Sequence, residues 1–191
     1  GAPSDAMPDM DFGFFGVNAG VMADPATMVK AARTAEAAGW ESIWTGEHLV
    51  AVSPQRPPSP VRPDTHFVDQ VAALAHLAAH TTTLRLGTGI VILPQRNPVV
   101  LAKELASIDV LSGGRLEAGF GVGYVPAEFD AVGVPFSERG ARMDDHIDAL
   151  RAMWRGDLEF EGPFTSWHGV EAHPRPVGPD GPPIHIGGRS P

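Results

Sequence analysis

The 191-residue sequence contains no cysteine. That excludes a disulfide framework, a thiolate-bound zinc and a cysteine nucleophile, and it makes the cytoplasm the expected compartment. Positive charge is scarce too. Fourteen Lys and Arg stand against 23 Asp and Glu, a formal net charge of −9, and no basic run appears. A nucleic-acid surface needs clustered cations to neutralise phosphates, so that partner is not expected. Long apolar runs are also missing. The longest, such as Leu86 to Leu93, fall far short of the roughly 20 residues that span a bilayer. With no basic amphipathic stretch either, no membrane partner is expected and the protein should be soluble. Gly1 to Pro8 lacks the charged and apolar regions of a signal peptide, and residues 1–10 read as a flexible lead-in. No H-E-x-x-H pair, G-x-S-x-G elbow or Walker-type loop occurs, which argues against metalloprotease, common hydrolase and nucleotide-hydrolase chemistry.

What is present suffices for a folded core. Hydrophobic residues make up 43%, and the 22 Gly and 19 Pro fall where turns are expected between apolar segments. Asp11 to Val17 reads as a first strand. Asp24-Pro25 then supplies a helix N-cap with proline at the first helical position, Met28, Ala32 and Ala35 recur at helical spacing, and Gly39 stops the helix before a second strand, Ser42 to Thr45. The same order repeats. A helix over roughly Phe67 to His80 leads to the apolar run Leu84 to Leu93, read as a strand buried on both faces. Asn97-Pro98 opens a helix that presents Leu101, Leu105 and Ile108 and ends at Ser112-Gly113-Gly114, before a strand over Arg115 to Gly121. Ser137 is expected to cap a further helix marked by Met143, Ile147, Leu150 and Trp154 and closed by Gly156, and Pro183 to Gly187 reads as a fifth strand. Two insertions interrupt the alternation: one near residues 50–65, containing the proline-rich Gln55 to Pro63, and one near 157–182, where Leu158 to Phe160 and Thr165 to Val170 suggest a hairpin or lid.

Alternating strands and helices imply right-handed parallel crossovers, which leaves a doubly wound sheet or a barrel. Polar or glycine-rich motifs after every strand favour the barrel, whose active site lies at the C-terminal ends of its strands. Glu47 and His48 follow strand two directly, so His48 is placed for proton transfer, against the plainer reading of a histidine that bonds a loop. Gly87 and Gly89 end the third strand, and Gly119, Gly121 and Gly123 the fourth, either for close approach of a ligand or as simple strand ends. Gly187-Gly188-Arg189-Ser190 offers bare amides, a guanidinium and a hydroxyl to a phosphate if a helix follows; an ordinary turn is the alternative. His76 and His80 lie one helical turn apart with no third ligand in sight and are expected to stabilise a helix end. No metal site is expected.

Taken in order, Trp44-Thr45-Gly46-Glu47-His48, Leu86-Gly87-Thr88-Gly89-Ile90, Arg96-Asn97-Pro98, Leu111-Ser112-Gly113-Gly114-Arg115, Gly121-Val122-Gly123 and Ile186-Gly187-Gly188-Arg189-Ser190 resemble the bacterial luciferase-like superfamily, and most of all its branch that uses the deazaflavin coenzyme F420. The resemblance implies an α/β TIM (β/α)8 barrel, with about five of its βα units in residues 11–191. Three further units would close it, so the natural protein is expected to continue beyond Pro191. It also implies a non-proline cis peptide at Gly89-Ile90, a catalytic His48 with Glu47 beside it, and a coenzyme held by Trp44, Thr88, Gly89, Ile90, Gly121, Gly123, Gly187, Gly188, Arg189 and Ser190. The activity implied is F420-dependent hydride transfer to or from a small organic substrate, by a homodimer. The alternatives are an FMN-dependent monooxygenase that uses O2 and a partner flavin reductase, and a non-catalytic cofactor-binding or structural relative.

Overall fold

In the computed structural model, residues 10–188 are described; the lead-in up to Asp9 and the expected phosphate contacts Arg189 and Ser190 lie outside them. The chain runs β1 (Gly13–Phe15), α1 (Pro25–Ala37), β2 (Ser42–Thr45), α2 (Gln70–Ala78), β3 (Arg85–Thr88), β4 (Val91–Ile92), α3 (Pro98–Ser112), β5 (Leu116–Gly121), α4 (Pro126–Ala131), α5 (Arg139–Arg155), β6 (Glu159–Glu161), β7 (Ser166–His168) and β8 (Ile184–Ile186). The pairs β1–β2, β2–β3, β3–β5, β4–β5 and β5–β8 are all parallel. This is the arc of an α/β barrel, the alternative that the motifs after every strand favoured.

Local chemistry sets most boundaries. Asp24 accepts the Thr27 backbone N–H at 2.8 Å, and Asn97 accepts those of Val99 and Val100 at 3.0 and 3.1 Å, each followed by the expected proline. Gly113 and Gly156 close α3 and α5 in the left-handed conformation, at φ +71° and +81°. Ser137 does not cap α5: it lies in a short 3-10 turn, Phe136–Glu138, and no side chain caps the helix that follows. Helix α2 begins at Gln70, three residues later than its apolar pattern suggested. Phe67 and Val68 are held extended, bridged to Ala19 and bonded to Asn18, and Asp69 supplies the cap. The run Leu84 to Leu93 is not one strand. It breaks into β3 and β4 around Gly89-Ile90, both of which pair with β5.

Period-two alternation divides the sheet into two faces. Ile43, Leu86, Ala118 and Phe120 pack against Leu74, Leu77, Leu101, Leu105 and Leu150 in a continuous apolar core. The other face carries Phe15, Trp44, Gly87, Glu117 and His185. Between residues 157 and 182, β6 and β7 form the expected antiparallel hairpin, with Phe160 stacked on Trp167 at 4.8 Å.

At the N-terminal ends of the strands, two side chains fasten helices to loops. Arg115, just before β5, donates to the carbonyls of Ala78 (3.1 Å), Thr81 (3.1 Å) and Leu84 (2.8 Å), closing the C-terminus of α2. The Ser112-to-Arg115 motif is thus structural and lies opposite the rim. Glu36, in α1, accepts the backbone N–H groups of Thr82, Thr83 and Leu84 through one oxygen, at 2.8, 2.6 and 3.0 Å. Burial opposes ionisation of Glu36, but the amides of Thr83, Thr82 and Leu84 outweigh it and bring the pKa to about 2. A carboxylate depressed on folding contributes stability above its unfolded-state pKa and loses it as pH falls through the folded value. Denaturant midpoints should therefore drop for the parent protein between about pH 4.5 and 2. In E36Q, already less stable at neutral pH, that component of the acid loss should be absent.

Candidate active site

The C-terminal ends of β2, β4 and β5 meet at a rim built largely from buried polar contacts. Asn18, fully buried, donates through Nδ2 to the carbonyls of Gly46 (2.9 Å) and Val68 (2.7 Å), while its Oδ1 accepts the Gly46 N–H at 2.8 Å. The chain leaving β2 is fixed there. The next residue, Glu47, is 3% exposed at its side chain. Its Oε2 accepts the Ile92 N–H at 2.6 Å, and its Oε1 accepts from Arg96 Nη2, which also donates to Asp69 Oδ2 at 2.9 Å. Burial alone would lower the Arg96 pKa, but the carboxylates of Glu47 and Asp69 more than offset it and raise it.

With its neighbours pinned, His48 turns its ring toward α4. Nδ1 lies 2.6 Å from Glu128 Oε1, and the ring stands edge-on to Phe67 with centroids 5.5 Å apart. The Glu128 side chain is 2% exposed, and its Oε2 is buried with no partner among the described residues. A cavity of about 130 Å³ beside His48 is lined by Gly46, Glu47, Phe67, Asp69 and Gln70 among others. That is room for small groups rather than a whole coenzyme.

The break between β3 and β4 lies beside this rim, and its Gly89–Ile90 peptide is cis, as the resemblance implied. The segment is tied on both sides. The Gly89 N–H donates to the Thr45 carbonyl at 2.9 Å, and Gln70 Nε2 donates to the Ile90 carbonyl at 3.1 Å while Gln70 Oε1 accepts from Thr45 Oγ1 at 2.7 Å. The Ile90 side chain lies across the glycines of two strands: a Cβ on Gly121 would meet Ile90 Cδ1 at 2.5 Å, and one on Gly187 would meet Ile90 Cγ2 at 3.0 Å. Gly123 takes φ +73° and turns the chain into α4. Gly188 faces open space.

Two expected coenzyme contacts have other engagements. Thr88 is buried, donating Oγ1 to the Gly119 carbonyl at 2.8 Å and accepting the Gly119 N–H at 2.7 Å, which clamps β3 to β5. Trp44 lies on the open face of the sheet, where its ring fills the space a Gly87 side chain would need, meets His185 edge-on at 5.5 Å, and donates Nε1 to Ser42 Oγ at 2.9 Å. His80 Nδ1 lies 2.8 Å from the His76 carbonyl, at the helix end as expected. No cluster suited to a metal occurs among the described residues.

Sequence reasoning assigned no role to Glu128, Asn18, Gln70 or Arg96. Two of these left a local trace: Arg96 opens the Arg96-Asn97-Pro98 motif, and Val125-Pro126-Ala127-Glu128 follows a strand-ending glycine pair and has proline at the first helical position.

The family model described as luciferase-like monooxygenase matches residues 10–191. The chain belongs to that family. It is 33% identical over 166 residues to the oxygenase component of a flavin-dependent trigonelline monooxygenase from Acinetobacter baylyi, covering 86% of this chain and 43% of the relative. Among solved structures, monooxygenase RslO1 from Streptomyces bottropensis is 30% identical with a TM-score of 0.75, covering 93% of this chain and 53% of that one. An F420-dependent secondary alcohol dehydrogenase superposes with a TM-score of 0.76 at 18% identity, covering 93% of this chain and 52% of that one, a likeness of fold. The chain thus spans about half the length of each of these proteins.

The Glu47 anchor generates a stability prediction. Replacing Arg96 by Ala leaves a buried carboxylate without its cation and should cost about 3–5 kcal/mol in urea unfolding. The double variant R96A/E47Q should recover part of that loss.

Proposed function

We propose that this chain carries the coenzyme-binding and proton-exchanging part of a luciferase-like oxidoreductase, and that the coenzyme is a flavin used for monooxygenation of a small organic substrate. The carrying observation is the pairing of His48 with buried Glu128 at the strand rim, beside the Gly89–Ile90 peptide. Histidine held at a rim of this kind is suited to giving or taking a proton near neutral pH.

The residues present fit a flat ring at this edge. Gly121, Gly187 and Gly188 leave backbone uncovered except where Ile90 lies across it, and Gly188 has open space where a side chain would stand. On this reading Ile90, Gly121, Gly187 and Gly188 contact the coenzyme, and Arg189 and Ser190 are its candidate phosphate contacts. Reduced flavin supplies two electrons to dioxygen; a deazaflavin instead supplies a hydride. His48 holds or delivers a proton at Nε2. Glu47, with both oxygens engaged, serves by fixing the backbone on either side of the site. Gly123 turns the chain so that α4 brings Glu128 to His48, and Thr88 and Trp44 shape the sheet that backs the ring.

Support for a flavin over a deazaflavin comes from two relatives of at least 30% identity: both are named monooxygenases, and the trigonelline enzyme is flavin-dependent. The deazaflavin reading is the second one. It rests on the ordered motifs of the sequence, which resemble the F420 branch, and it assigns His48 the same proton. A monooxygenase would draw reduced flavin from a partner reductase, and a homodimer is proposed for either reading.

The full-length protein should be titrated with FMN and with F420 while visible absorbance is followed, and O2 uptake should be measured with reduced FMN. The expected result is FMN binding with O2 consumption dependent on substrate, and a loss of about 10²–10⁴ in turnover for H48A. F420 binding with no O2 uptake would replace the first reading by the second. Failure to bind either coenzyme by a folded protein would overturn both in favour of a non-catalytic relative.

A further inference from the structure

We propose that Glu128 is a positioning residue for His48: it accepts the Nδ1–H and thereby directs Nε2, as the sole exchanging nitrogen, toward the reaction site. The proposal rests on the function proposed above for what His48 does. The orientation itself rests on geometry.

Anchors on two segments bring the pair together across 80 residues of sequence. On one side the loop after β2 is fixed by Asn18 at Gly46 and by Ile92 and Arg96 at Glu47, so the His48 backbone is held. On the other, Glu128 sits on α4 next to Phe129, which is fully buried and packs edge-on against Phe136 with centroids 5.2 Å apart. A side chain on Gly123 would collide with Ile92 and the Phe129 ring, so the turn that aims α4 is matched to that packing. Each partner is thus held by contacts besides their mutual bond.

An ionised carboxylate accepts hydrogen bonds and donates none. Its approach to Nδ1 at 2.6 Å is that of a strong bond, and an ionised Glu128 makes the imidazole the donor. Neutral His48 then carries its proton on Nδ1, and the Nε2 lone pair is free to accept another. When Nε2 takes one, the imidazolium keeps the same bond to Glu128, which stabilises the charge without moving the ring. The ring meets Phe67 edge-on, so rotation about the Cβ–Cγ bond is restricted as well. The opposite arrangement, Glu128 protonated and donating to Nδ1, would place the histidine proton on Nε2. That would reverse the assignment, and the two arrangements are distinguishable by experiment.

The full-length protein, labelled with ¹⁵N-histidine, should be titrated across neutral pH, with H48A assigning the signal. Neutral His48 is expected as the Nδ1–H tautomer. In E128A the signal should move toward Nε2–H, and kcat should fall at least about tenfold, a part of the roughly 10²–10⁴ that a placed acid or base supplies, with the coenzyme KM within about twofold. E128Q, whose carbonyl oxygen accepts the same bond, should keep the tautomer and restore part of kcat. An Nε2–H tautomer in the parent protein overturns the proposal, and so does E128A with parental tautomer and kcat. If E128A fails to fold, the parent tautomer and E128Q decide. A parent protein that binds neither coenzyme yet shows Nδ1–H overturns the function reading and leaves the orientation standing.

Discussion

A single buried carboxylate organises the rim of this sheet. Glu47 holds the Ile92 amide with one oxygen and Arg96 with the other, and Arg96 reaches on to Asp69, the cap of α2. Three segments from different parts of the chain are therefore fixed to one side chain: the loop after β2, the strand after the cis peptide, and the start of a helix. A charge so deeply removed from water is tolerated only when it is matched, and the match is made by backbone and guanidinium together. His48 inherits its position from this arrangement.

The two faces of the sheet meet different demands. The helix-facing side is apolar and continuous, from Ile43 through Leu86 to Phe120. The other carries Trp44 laid over Gly87, and Glu117 bound by both Arg85 and His185. The motifs that carry the family resemblance likewise divide by their place. The Ser112-to-Arg115 segment fastens helix α2 at the N-terminal ends of the strands, whereas the segments after β2, β4 and β5 build the rim. A recurring sequence pattern is thus partly a chemical signature and partly a folding one.

Much of the fold could be read from the chain because its signals are local. Asp24-Pro25 and Asn97-Pro98 cap helices within three residues of themselves, and Gly113 and Gly156 end them by adopting a conformation open to glycine. His48 was legible because it follows a strand directly. The errors have a common origin in distant contacts. Leu84 to Leu93 looks like one strand because it is mostly apolar and contains no proline, whereas Thr45 and Gln70 from elsewhere in the chain bind the backbone at the break. Asp69, not the apolar pattern, starts α2. Glu128 was overlooked because its partner lies 80 residues away, and Asn18 because nothing near it announces two bonds to segments 28 and 50 residues distant.

The seat of Ile90 carries a consequence for how this family can vary. Its side chain fills the room that residues 121 and 187 forgo by being glycine, so the loop between β3 and β4, the end of β5 and the residue just after β8 behave as one composite site. Enlarging either glycine demands a smaller residue at 90, and changing 90 opens a void against both. The packing of the residue after β8 is thereby tied to that of a loop nearly 100 residues earlier.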